Sequence, residues 1–183
     1  MVIRKATPDD AQKVHQIAES IRINYGNPQR NGFLVYVLSE EQYRYHIERS
    51  SKFYVSEDVD GEVDGFLMCY DSEALRLLRR TLRKLDHEDG LIDFVLCQET
   101  PFIFGDQIGV QSDRRKMDIG RLMMQQLFED MIEFQIPTIY VGILHEPVRN
   151  EASIGFVEYL GFFEAKKVRN RDGHVWGIYR LDL

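Results

Sequence analysis

The stretch that most restricts the fold begins with nine residues, Phe102-Ile103-Phe104-Gly105-Asp106-Gln107-Ile108-Gly109-Val110, too apolar for anything but an inner strand. It runs into a short basic turn carrying Arg114, Arg115 and Lys116 and ending at Gly120. Arg121-Leu122-Met123-Met124-Gln125-Gln126-Leu127-Phe128 then follows at helical period and must stop before Pro137. Strand, cationic turn and helix start together present backbone N–H groups and positive charge, the arrangement that receives a phosphate. From Asp113 to Arg121, four cations stand against two anions, so the turn keeps a positive surplus despite Asp118.

The remaining chain alternates strands and helices. Val2 to Ala6 suits a first strand, and Thr7-Pro8-Asp9-Asp10 reads as N-cap, proline at the first helical position and acid in the first turn. Ala11, Val14, Ile17, Ala18 and Ile21 give that helix one buried stripe. Residues 24–32 are rich in turn formers, and Ser39-Glu40-Glu41-Gln42 is a capping box opening a second helix through about Arg49. Phe53 to Glu57 and Val63 to Tyr70 read as a hairpin across Asp58-Val59-Asp60-Gly61. Glu73 to Leu85 predicts a basic helix, Thr138 to Leu144 a central strand, and Asn150 caps a helix closed by Gly161. Phe163 to Val168 and Trp176 to Leu181 flank the turn Asn170-Arg171-Asp172-Gly173.

With 183 residues, 44% of them hydrophobic, the expectation is one packed domain spanning 1–183. A net charge of −7 disfavours a nucleic-acid partner, because neutralising phosphates needs a basic surface. It also hints at a cationic substrate such as an amine. Cys69 and Cys97 lack metal-ligand spacing and read as free thiols, and no histidine pair is spaced for a metal. No segment reaches the ~20 apolar residues of a membrane span, and no leader is evident after Met1. A cytoplasmic protein without membrane contact is therefore expected.

Three segments carry a family resemblance. Val110 followed by Arg115 to Gly120 resembles the cofactor-binding signature of the GNAT (Gcn5-related N-acetyltransferase) superfamily, with Lys116 and Asp118 where glycines are usual. Asn150-Glu151-Ala152-Ser153-Ile154-Gly155-Phe156-Val157-Glu158-Tyr159-Leu160-Gly161-Phe162 resembles its late helix, which begins at Asn and ends in Gly-Phe. Ile3-Arg4-Lys5-Ala6-Thr7-Pro8-Asp9-Asp10 resembles its opening. The resemblance implies a mixed α/β fold: a twisted mixed sheet splayed between strands 4 and 5, helices on both faces, with residues 71–100 as a helical insertion. It further implies acetyl-CoA as co-substrate, no metal, and transfer to a small-molecule or peptide amine by direct attack in a ternary complex.

The same resemblance assigns roles. The backbone of Ile108, Gly109 and Val110 would pair with the pantetheine arm, and Gly109 suits a bulge or close approach. Arg115, Lys116, Met117, Asp118, Ile119, Gly120 and Arg121 would hold the pyrophosphate, and Asn150 would bond the cofactor as well as cap its helix. Asp118 is expected to cap the helix start with its carboxylate and to resist φ > 0. Asp106 stands where several members place a glutamate base. Strict alternation sets it on one face with Ile108 and Val110, and burial in so apolar a strand would raise its pKa. A hydrogen-bonded structural or substrate-binding carboxylate is an equal reading.

Val157 occupies the place of the usual tyrosine acid, and Tyr159 lies about 200° around the helix from it, so it cannot simply substitute. Ser153, Tyr140 or no dedicated acid remain as alternatives. Asp118 and Val157 admit a second reading, a degenerate member that binds acyl-CoA as a sensor or interaction module. Tyr25, Phe33, Tyr36 and Tyr43 could line the acceptor pocket or pack the core, and His145 reads as a loop histidine. In the insertion, Leu75, Leu78, Leu82 and Leu85 suit a helix on the sheet with a solvated basic face, or a homodimer contact or lid.

Overall fold

In the computed structural model, residues 1–26, 32–83, 90–111 and 118–183 are described, without the side chains of 81–83. Strands β1 (Val2–Lys5), β2 (Lys52–Glu57), β3 (Val63–Asp71), β4 (Phe102–Val110), β5 (Thr138–Glu146), β6 (Phe163–Arg169) and β7 (Val175–Asp182) form one sheet in the order β1-β2-β3-β4-β5-β7-β6. Only the central β4–β5 pair is parallel; the others are antiparallel. The helices are α1 (Ala11–Ser20), α2 (Glu40–Arg49), α3 (Ser72–Arg83), α4 (Gly90–Leu96), α5 (Ile119–Glu133) and α6 (Glu151–Tyr159). This is the mixed sheet with helices on both faces that the family resemblance implies.

Local chemistry sets the boundaries. Pro8 to Asp10 form a 3-10 turn ahead of α1, and the Asp10 carboxylate accepts the Thr7 N–H at 2.7 Å. Ser39 and Gln42 exchange side-chain-to-backbone bonds, the reciprocal box that starts α2. Each face of the sheet carries its own core. Val14, Ile17, Tyr43, Phe66, Leu75 and Phe104 pack under α1 to α4. On the opposite face Ile103, Met123, Leu127, Met131 and Tyr179 pack under α5 and α6. Met123, Leu127 and Met131 are fully buried, each contributing about 1.5–3 kcal/mol.

The insertion differs from the reading of one basic helix. Leu75 is buried and Leu78 half-buried in the core, so this part of the leucine stripe is spent inside the molecule. The side chains of Leu82 and Leu85 lie outside the described residues. Arg79 is also buried, contrary to a wholly solvated basic face; its guanidinium spans Asp93 of α4 with bonds of 3.0 and 2.9 Å. That fork fixes α4, which the sequence reading did not find, against α3.

A buried polar knot ties β1 and β2 to α5. The Asp130 carboxylate accepts from Lys5 Nζ at 2.6 Å, Tyr54 Oη at 2.7 Å, Gln126 Nε2 at 3.2 Å and Lys52 Nζ at 3.3 Å. Burial alone would raise its pKa, but the bonds from Lys5, Tyr54 and Gln126 hold it well below the ordinary carboxylate range.

Candidate active site

The β4–β5 ladder runs from Phe102↔Thr138 to Gly105↔Val141 and then ends. Beyond it β4 continues against β3 and β5 against β7, so the two central strands diverge. A cavity of about 540 Å³ opens in the wedge. Its walls come from both cores: Leu34, Leu91, Phe104 and Trp176 on one face, and Ile108, Met124, Val141 and Phe156 on the other. It therefore passes through the sheet where the two central strands part.

A bulge in β4 marks the start of the divergence. Gly105 pairs with Cys69 and Gln107 with Met68, which leaves Asp106 as the extra residue. The bulge reverses the side-chain phase. Gln107 reaches Tyr43 under α2, while Ile108 and Val110 join the opposite core. Strict alternation therefore fails at Asp106, and with it the shared face with Ile108 and Val110. The expected burial fails too: Asp106 is exposed and stands in the cavity wall. Its charge adds to burial in raising the pKa values of Tyr43, Cys69 and Tyr70.

Gln107 was not singled out in the sequence, yet it braces the bulge. Its Oε1 accepts the Tyr43 hydroxyl at 2.7 Å, and its Nε2 donates to the Tyr36 carbonyl at 3.0 Å. Gly109 is buried, and a Cβ there would meet Phe66 Cε1 at 2.5 Å and Ile21 Cδ1 at 3.0 Å. Packing against Phe66 demands this glycine; the bulge lies three residues earlier.

Of the phosphate-binding set, Arg115, Lys116 and Met117 lie outside the described residues. Asp118, Gly120 and Arg121 line the cavity, so the N-terminus of α5 opens on it with its unpaired N–H groups and positive dipole end. Ile119 is buried and offers only its backbone. Asp118 adopts φ 55° and ψ 21°, the left-handed conformation that explains why glycine is usual there. Its exposed carboxylate makes no cap hydrogen bond and stands 3.9 Å from Arg121 Nη2, so the expected side-chain cap is not formed.

Asn150 caps α6 as expected: Oδ1 accepts the Ser153 N–H at 3.3 Å. Its Nδ2 donates to the Phe33 carbonyl at 3.0 Å, which joins the α1–α2 segment to α6 beside the cavity. Among the hydroxyls weighed as acids, Ser153 and Tyr159 line the cavity, whereas Tyr140 is buried and donates to Gln98 at 3.4 Å. Val157, at the place of the usual tyrosine acid, is buried.

Phe33 and Tyr36 line the cavity, Tyr43 is wholly in the core, and exposed Tyr25 bonds His174 at 3.0 Å. Tyr36 donates to Asp172 and stacks on Trp176, 6.1 Å between ring centres. His145 belongs to β5 and is buried, not in a loop; its Nε2 lies 3.2 Å from the Tyr179 hydroxyl. Burial and the nearby Arg149 lower its pKa. Cys69 is buried and Cys97 exposed, both free. Among the described residues, no group of three or more His, Cys, Asp or Glu could hold a metal, and no helix is long and apolar enough to cross a membrane.

Comparison with known structures returns the same fold. Ard1 from Thermoplasma volcanium superposes with a TM-score of 0.70 at 15% identity, covering 100% of this chain and 97% of that one. Chaetomium thermophilum Naa20, solved with a bisubstrate analogue, gives 0.68 at 15% identity, covering 100% and 87%. Drosophila melanogaster polyamine N-acetyltransferase gives 0.65 at 12% identity, covering 100% and 99%. No curated protein matches the chain in sequence. The sequence profile described as "Acetyltransferase (GNAT) family" matches residues 15–162. The chain thus belongs to the GNAT acetyltransferase family, enzymes that transfer an acetyl group from acetyl-CoA to an amine.

Proposed function

We propose that this protein acetylates the amine of a small molecule or peptide by direct attack within a ternary complex, with Asp106 as general base. The observation that carries the reading is the cavity through the sheet, with the exposed Asp106 carboxylate at the bulge between its two halves. Acetyl-CoA fits the half bounded by β4, α5 and α6. Backbone at Ile108, Gly109 and Val110 lies past the end of the β4–β5 ladder, suited to an extended arm laid along it. The α5 N-terminus with Gly120 and Arg121 suits the pyrophosphate, and Arg115, Lys116 and Met117, outside the described residues, are the further partners that the family resemblance assigns to it. Asn150 supports this half by holding α6 in place, its side chain already committed to Ser153 and Phe33.

When bound, acetyl-CoA supplies a thioester acyl group. The amine enters from the opposite face. Asp106 takes its proton, directly or through one water, as the new C–N bond forms and the C–S bond breaks. The sulfur leaves as a thiolate, stable enough at its pKa to need no strong acid, and takes its proton from solvent or from the Ser153 hydroxyl.

The test is release of free CoA from acetyl-CoA across a panel of amines, with Asp106→Asn as the variant. The reading expects turnover with at least one amine, slowed about 10²–10⁴-fold by the substitution. Saturating CoA without any thermal shift would count against it.

A further inference from the structure

The two halves of the cavity differ in chemistry. Asp118, Arg121, Asn150 and Ser153 stand on the α5/α6 side. The wall toward α1, α2 and α4 carries Leu34, Leu38, Leu91, Ile92, Phe104 and Trp176, all members of or packed against the same apolar core, and its amides are already engaged: Gln107 Oε1 accepts from Tyr43 and Asn170 Oδ1 from the Gly90 N–H. Leu91 occupies the space that a side chain at position 142 would need, so α4 lies directly on β5 and floors this half. Gly142 is what admits it. Among the described lining residues, the charged ones are Asp106, Asp118 and Arg121, and of these Asp106 is the one whose charge reaches Tyr43 and Tyr70 on the apolar side.

One carboxylate pairs with one ammonium. A second cation on the same acceptor would lose its water against this wall, which among the described residues offers it no second carboxylate. A bulky apolar group gains by leaving water for the same surface. From this contrast we infer that the acceptor is a primary monoamine carrying a large apolar group close to the nitrogen, and not a polyamine. The inference rests on the acetyl-transfer reading above. Two sources share this chemistry: a free alkyl- or arylalkylamine, and a peptide N-terminus whose first side chain is large and apolar.

The experiment measures kcat/KM with saturating acetyl-CoA for phenethylamine, for short peptides beginning with Leu, Phe, Ala or Ser, and for spermidine and agmatine. The apolar acceptors are expected to exceed spermidine and agmatine by about 10–200-fold. Turnover confined to Leu and Phe peptides assigns protein or peptide N-termini as the source, and turnover confined to phenethylamine assigns a free amine; either supports the inference. Ile92→Asp should cut the preference at least tenfold by placing a second carboxylate in the wall. Trp176→Ala, which adds no charge, should lower apolar turnover without raising that of spermidine. A CoA-induced thermal shift retained in each variant shows that the fold and the coenzyme half survive. Spermidine or agmatine turned over as well as the apolar amines overturns the inference, as does acetyl-CoA binding with no apolar acceptor used. Loss of acetyl-CoA binding in the unmodified protein is a different outcome, which overturns the acetyl-transfer reading itself.

Discussion

The Tyr43 hydroxyl donates to Gln107 Oε1 at 2.7 Å, a buried bond joining α2 to the residue that follows the β4 bulge. Gln107 in turn donates to the Tyr36 carbonyl at 3.0 Å. The position of Asp106 is thus set from the α1–α2 side, by a buried glutamine bonded at both ends of its amide. Gln107→Leu removes the acceptor of the Tyr43 hydroxyl proton and should cost about 1–3 kcal/mol of stability. Turnover should fall further than the stability loss explains, because the bulge loses its brace. Chemical denaturation and steady-state rates on the same samples separate the two effects.

Asp118 holds φ 55° without a side-chain cap, so it carries conformational strain that nothing in its own side chain repays. Asp118→Gly should relieve about 0.5–1 kcal/mol of it and raise Tm by about 1–4 °C. Removing an anion beside the α5 N-terminus should also tighten CoA binding. Calorimetric titration of CoA into both proteins measures the second effect, and a scan of each measures the first.

The Asp130 knot is a stability device remote from the cavity. Asp130→Asn removes the charge that Lys52 and Lys5 face and should destabilise the protein by about 2–4 kcal/mol, the exposed half of Lys5 recovering some solvation. The sign of its pH dependence follows from the lowered pKa. Its contribution is present above the unfolded carboxylate value of about 3.9 and is lost as pH falls through the folded value. Urea titrations at pH 7 of the variant and the unmodified protein check the loss.

His46 and His145 both have pKa values lowered by burial, with Arg49 adding at His46 and Arg149 at His145. Each is favoured neutral in the folded state. Stability from them is complete above the unfolded histidine value of about 6.5 and declines as pH drops below it. Tm should therefore fall between pH 7.5 and 5.5, and His46→Gln with His145→Gln should flatten that slope. An equal slope in the double variant would assign the pH dependence to other groups.

Most elements were legible because their signals are local: the Ser39 box, the Asn150 cap, and the 3.6-residue stripes of α1 and α5. The splay and the site's place in the chain came from the resemblance carried by residues 110–120 and 150–162. The bulge was not legible. An extra residue in β4 is defined only by its register against β3, and period-two reasoning along one strand cannot register it. Helix α4 escaped because seven residues give fewer than two turns of periodicity, and its hold comes from Arg79, fourteen positions away, and from Asn170, whose Oδ1 accepts the Gly90 N–H at 3.1 Å. Nothing along β5 itself signals the purpose of Gly142; the approach of Leu91 supplies it.

The measurement that bears most directly on the account is CoA release by Asp106→Asn, paired with CoA-induced thermal stabilisation of the same variant. At a hundredfold excess over Kd, CoA should stabilise both proteins by about 2.7 kcal/mol, a shift of about 5–10 °C. The account predicts that this shift survives the substitution while the acetylation rate drops about 10²–10⁴-fold. An unchanged rate with a folded, CoA-binding variant would contradict the role given to Asp106.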